Sequence, residues 1–301
     1  MVKEKEGDIS LKSSRNTIKI FSMGNAGWLW LLMPAIIFLS FMYLYPMTKI
    51  IRLAFFDPGF TLKHFVAIFK NPSNAKVMWL TFKMGFGVTF SCLILGYLIA
   101  YLLDRVSQGA ANLLILFVVI PLWTSILVRT YAWMVLLGRK GILNQILIAI
   151  GMIDQPIKLM HNTFGVYLGM VQILLPFMIL PLYSVMKGID KELLTAAGNL
   201  GANPLQSFLK IYLPLSLPGV VSGFVLVLIM SLGFFITPAL LGGLGDIMIS
   251  MFIESHVNEF LNWGMASALS ILLLVATGFA FVIFTQVAKW LNIRIEGEGI
   301  F

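Results

Sequence analysis

IYLPLSLPGVVSGFVLVLIMSLGFFITPALLGGLG, residues 211–245, runs for 35 residues without a charged side chain. A helix needs about 20 mainly apolar residues to cross a bilayer, and only a lipid solvent tolerates so long an uncharged run. Reading outward from it, five further segments meet the same test, which makes six candidate spans: Trp28–Tyr45, Lys83–Leu103, Ala111–Leu137, Phe164–Met186, Pro218–Leu241 and Met265–Trp290. Composition agrees. Hydrophobic residues make up 59% of the chain and charged residues 11%, where a soluble domain carries about 25% charged. A surface so poor in charge cannot be covered by water alone, so the expected class is all-α and multi-pass.

The net charge of +8 comes from Lys and Arg in the N-terminal tail and the loops. A membrane protein uses bases there for orientation, and no dense basic run is present to suggest a nucleic-acid partner. The tail holds Lys3, Lys5, Lys12, Arg15 and Lys19, followed by 29 uncharged residues from Ile20 to Thr48. That run is too long for the 7–15-residue core of a signal peptide, so it reads as a retained first span. With the N-terminus inside, the inner segments hold 11 Lys and Arg and the outer segments eight. The bias is small and in the expected direction, placing both termini in the cytoplasm. The organisation is then a tail over 1–27, a six-helix domain over 28–290 containing a cytoplasmic loop at 190–214, and a second tail over 291–301. The single Cys92 cannot make an internal disulfide or a multi-cysteine metal site. His64, His161 and His256 are scattered and form no zinc pattern, and no phosphate-binding Gly-rich loop occurs. No cofactor, metal or catalytic constellation is expected.

Two outer loops carry helical patterns. Asp57-Pro58-Gly59 marks a turn, after which Thr61 is placed to cap a helix bearing Phe65, Ile68 and Phe69. Ile253, Val257 and Phe260 recur at helical spacing between spans five and six. Both segments fit helices lying on the membrane surface, or surfaces that dock a partner.

The inner loop KELLTAAGNLGANPLQSFLKIYLP, residues 191–214, is the most informative. Leu193, Leu194, Ala197 and Leu200 form one face of a short helix, and Gly201 suits the left-handed residue that ends it. Asn203, Pro204 and Gln206 then supply an N-cap, a first-turn proline and a capping box for a second helix. That helix carries Phe208, Leu209 and Tyr212 and is expected to end at Pro214. The result is an apolar knuckle in an aqueous compartment, which points to a partner. A DNA-reading helix pair needs more than the two bases Lys191 and Lys210; a plain interfacial connector is the other alternative.

Thr195-Ala196-Ala197, Gly201, Ile211 and Leu213-Pro214 fall at the spacing of the Glu-Ala-Ala loop of binding-protein-dependent importer permeases, with Thr195 standing where that family prefers Glu. The chain resembles this family from span one to span six. It is most similar to the spermidine/putrescine branch through Pro121–Trp133, Gly141–Asn144, Leu175–Tyr183 and Pro238–Gly243. The resemblance implies the type I ABC importer permease fold with a cytoplasmic coupling helix-turn-helix, located in a bacterial inner membrane. It also implies a second permease subunit, two ATPase subunits that hydrolyse ATP on separate chains, and a periplasmic solute-binding protein. Thr195, Ala196, Ala197, Gly201, Ile211, Leu213 and Pro214 become the ATPase-coupling residues. A polyamine is the expected solute; an opine, an aminobutyrate-like amino acid or a phosphonate are alternatives, and a membrane scaffold without a pathway is the alternative of another class.

Charges inside spans are functional candidates. Lys83 is placed to snorkel to an interface. Arg129, near Trp123, Thr124 and Tyr131, fits either a partner to a helix end or the lining of a wet path. In span five, Pro238 is expected to open the helix near Phe234, Phe235 and Thr237. These seven residues, Trp123, Thr124, Arg129, Tyr131, Phe234, Phe235 and Thr237, are the candidate substrate pathway, against the alternative that the phenylalanines merely pack. No acid lies inside a span to meet a polycation, so aromatic faces or the second permease would have to serve.

Overall fold

The computed structural model describes residues 25–56 and 59–290; both terminal tails and the Asp57-Pro58 pair of the expected turn lie outside the described residues. The chain divides into two units, one up to Lys49 and one from Ile50 onward. The first unit contains most of α1 (Asn25–Phe55), a 31-residue helix with Pro34 and Pro46 inside it.

In the second unit, α2 (Lys63–Lys70) leads into α3 (Pro72–Arg105), which runs 34 residues with proline only in its first turn. Then come α4 (Gln108–Val119), a 3-10 turn at Ile120–Trp123, α5 (Ile126–Leu137), α6 (Ile142–Ala149) and α7 (Thr163–Lys187). Next are α8 (Lys191–Asn199), α9 (Pro204–Ser207), a π turn at Phe208–Tyr212 and α10 (Leu213–Leu232). The chain closes with α11 (Ile236–Leu241), α12 (Ile249–Asn258) and α13 (Trp263–Trp290).

Among the described residues, five helices are long and apolar enough to cross a membrane without a break, and α4 with α5–α6, bent by 99°, passes the same test as a pair and counts as a sixth when taken as one span. The candidate span Ala111–Leu137 is therefore not one continuous helix. Pro121 enters the 3-10 turn, Thr124 is extended, and the Thr124 hydroxyl donates to the Pro121 carbonyl at 2.7 Å. Proline removes a ladder bond and a 3-10 turn tightens the backbone, so the direction changes at this point.

The core is a three-helix packing of α3, α7 and α10. Met178 of α7 is wholly buried where Gly96 of α3 and Gly223 of α10 face it; a Cβ on either glycine would come within 2.8 Å of the methionine side chain. Lipid drives no hydrophobic collapse between helices, so close approach across small residues supplies the packing instead.

A second cluster joins Ala54, Ile68, Met265, Ala268 and Leu269, with Phe55, Phe65 and Phe252 against it. The helix expected after Asp57-Pro58-Gly59 forms as α2, with the Thr61 hydroxyl accepting from the Lys63 amide at 3.1 Å. Ile68 of α2 is buried against α13 while Phe69 stays exposed, so part of the face expected to meet lipid or a partner is covered by the chain itself.

Candidate functional site

The knuckle forms as its residues dictate. Asp190 caps α8 by accepting from the Glu192 amide at 2.9 Å. Gly201 takes φ +85°, the left-handed region in which a Cβ would be strained. Asn203 and Gln206 complete the capping box, at 2.8 Å and 3.1 Å. Leu200 at the tip is 89% exposed, and Leu193, Leu205 and Leu209 are also open.

The apolar faces split between two tasks. Leu194 and the buried Ala197 turn toward the helix core, as do Phe208 and Tyr212, while the four leucines point away. Thr195, at the family's Glu position, is exposed and returns its hydroxyl to the Lys191 carbonyl at 3.3 Å. Ile211 and Leu213 are half-buried below the knuckle.

Pro214 does not end the second helix, contrary to expectation. The chain stays helical from Pro204 to Leu232. Leu213 donates to Phe208, five residues back, in the π turn. Proline can offer no amide to the carbonyl four residues before it. A π turn immediately upstream shifts the ladder by one residue, and the helix continues past the proline.

Where the knuckle meets the bundle, both of its limbs converge on Asp104, in the last turn of α3. The Tyr212 hydroxyl donates to Asp104 Oδ2 at 3.0 Å. Lys191 Nζ lies 3.6 Å from Oδ1 and donates to the Asp104 carbonyl at 2.9 Å. Around them Tyr101 packs edge-on against Phe208 and Tyr212, the Arg105 guanidinium lies over Tyr101, and the Tyr97 and Ser216 hydroxyls meet at 2.9 Å. Sequence reasoning did not single out Asp104. Its signal was an acid in the last turn of a helix, where the dipole opposes it and a partner is required.

Around the bend of span three, Trp123 is 88% exposed, and Thr124 and Tyr131 are also open. Arg129 is partly buried; among the described residues, no hydrogen-bond partner reaches its buried Nε and Nη1, so no helix end is paired with them. The Thr130 hydroxyl meets that of Thr237 at 3.3 Å, joining α5 to α11, and Trp133 donates to Gln172 at 3.4 Å.

Span five does break, but at Gly233–Phe235, between α10 and α11, and Pro238 sits in the first turn of α11. Proline leaves the Phe234 carbonyl without the amide that a continuous helix would supply. The Ser250 hydroxyl takes that carbonyl at 2.6 Å, so the freed group is tied to α12 and does not face open space. Phe234 and Thr237 are buried, and Phe235 is partly open. Of the seven expected pathway residues, Thr237 is thus an internal joint, while Trp123, Thr124, Tyr131 and Phe235 present surface.

At the other end of the bundle from Asp104, a cleft of about 610 Å³ is lined by residues including Lys158, His161, Gly243 and Leu244. Its rim is held by Asp246, which accepts from the Thr163 hydroxyl at 2.5 Å and the Gly243 amide at 2.9 Å.

Residues 92–296 match the family described as the inner membrane component of binding-protein-dependent transport systems. The chain belongs to that family: it is a multi-pass inner-membrane permease subunit of an ABC importer. Among its relatives is the spermidine/putrescine transport system permease protein PotB of Haemophilus influenzae, 39% identical over 238 residues, spanning 79% of this chain and 83% of that one. PotB of Escherichia coli K12 is 35% identical over 239 residues, covering 79% and 86%. A chain in the crystal structure of a bacterial alginate ABC transporter in complex with an alginate-bound periplasmic protein has the same fold, with TM-score 0.76 over 88% of this chain and 95% of that one at 19% identity.

Proposed function

We propose that this chain is one of two permease subunits of an ATP-driven importer for polyamines, with both termini in the cytoplasm. The observation that carries the solute class is the similarity to the spermidine/putrescine permeases, which extends over four-fifths of the chain. The chemistry of the bend supports it: exposed aromatic faces at Trp123, Tyr131 and Phe235 suit an alkylammonium ion, which binds ring faces through their quadrupole. Asp104 and Asp246 are buried acids, but their carboxylates are already engaged, so neither supplies a free charge for a polycation.

In this reading the Leu193–Leu209 knuckle lies in the cytoplasm and enters a groove on an ATPase subunit, with Thr195, Ala196 and Gly201 at the contact and the buried Ala197 packed behind it. Ile211, Leu213 and Pro214 connect that contact to α10. A solute-binding protein delivers polyamine at the opposite face. Titrating spermidine into the cognate binding protein tests the solute class. Saturable binding is expected, and a binding protein that takes no polyamine rejects the reading.

A further inference from the structure

We propose that Asp104 and Tyr212 are positioning residues that carry movement of the knuckle into α3, so that α3 and α10 answer the ATPase together. The inference rests on the reading of the knuckle as the ATPase contact.

The first argument is the cost of the arrangement. Asp104 is 7% exposed and stands at the C-terminal end of a helix, where both burial and the helix dipole disfavour a carboxylate. It is held there by the first residue of α8 and the last residue of the π turn, the two roots of the knuckle. One carboxylate therefore closes the loop onto α3. Lys191 is largely exposed, so its ion pair is screened by water. The Tyr212 bond is buried, flanked by Tyr101 and Phe208, and carries the link.

The second argument is mechanical. The continuation into α10 is compliant at both ends, entering through the π turn and stopping at the Gly233–Phe235 break. α3 has no such interruption over 34 residues, about 51 Å at 1.5 Å per residue. Further along the same helix, the Gly85 carbonyl accepts from Ser231 at 3.3 Å, just before the α10 break. The Thr81 hydroxyl accepts from the Ile249 amide at 2.8 Å, at the start of α12. A displacement at Asp104 thus reaches both sides of the broken segment through one stiff helix. A difference in knuckle position between nucleotide states is all that is needed to bias them.

The test uses the complete importer in proteoliposomes, with both permeases, the ATPases, the cognate binding protein and spermidine. Tyr212→Phe removes one hydroxyl and keeps the ring packing; Asp104→Asn removes the charge and keeps an acceptor. Each variant is expected to retain ATPase at the wild-type level, while spermidine imported per ATP hydrolysed falls about tenfold. A purely structural role would lower import and hydrolysis together in proportion to assembled complex, leaving the ratio unchanged, and that result overturns the proposal. If Asp104→Asn fails to assemble, Tyr212→Phe decides the matter by the same ratio. Failure of the ATPase to bind even the wild-type chain overturns the docking reading, and this inference with it.

Discussion

Gly201 shows how much a single backbone angle can decide. Its φ of +85° sets the turn between α8 and α9, and the space beside it is open, so an added side chain would meet no neighbour. The cost of substitution is therefore conformational, about 1–2 kcal/mol for an L residue in the left-handed region. Gly201→Val should loosen ATPase co-purification roughly fivefold or more while leaving membrane insertion intact. Full association in that variant would remove the knuckle as the contact. The position was legible in the sequence because glycine followed a helix-period face and preceded a capping-box signature. Asp104 was not legible, since the pairing that explains it spans 87 positions to Lys191 and 108 to Tyr212. The buried Asn144 is a similar case. Its amide donates to the Gly138 and Ile157 carbonyls at 3.1 Å and accepts from the Ile157 amide at 3.0 Å. In the sequence it stands out only as the last residue of the Gly141–Asn144 string.

At the scale of elements, the two broken segments are where apolar periodicity was least informative. Hydropathy sees only that residues 108–149 are apolar enough to span; the 99° bend comes from Pro121 and the tight turn around it. Pro238 marks span five as irregular, but the break lies upstream at Gly233, and Ser250 satisfies the carbonyl that the proline frees. These breaks bring Trp123 and Phe235 to the surface, whereas Thr237 is drawn inward to Thr130. Phe235→Ala should therefore lower spermidine transport by about fivefold, the equivalent of one cation–π contact of about 1 kcal/mol, without loss of assembled complex. Thr237→Ala supplies the contrast: it cuts an internal hydroxyl pair, and its effect should appear in thermal stability of the purified chain. Unchanged uptake in the Phe235 variant would exclude that ring from the pathway.

For the molecule as a whole, the five to six apolar helices among the described residues are legible as apolar runs, and the three-helix core is not. That core depends on Gly96 and Gly223 meeting Met178 across α3, α7 and α10, a register no single-helix pattern encodes. Orientation rests on the charge of the tail and loops, 11 bases against eight. Reporter fusions after Gly201 and after Lys158 test it directly: the account expects a cytoplasmic signal at the first and a periplasmic signal at the second, and the reverse pattern would place the knuckle away from any ATPase.

The most direct measurement is ATP-dependent uptake of labelled spermidine into proteoliposomes that contain this chain with its permease partner, ATPases and binding protein. The account predicts saturable uptake that stops without ATP and is lost in the Gly201→Val complex. Vigorous ATP hydrolysis with no spermidine entering, while an amino acid or an anionic solute is imported, would contradict it.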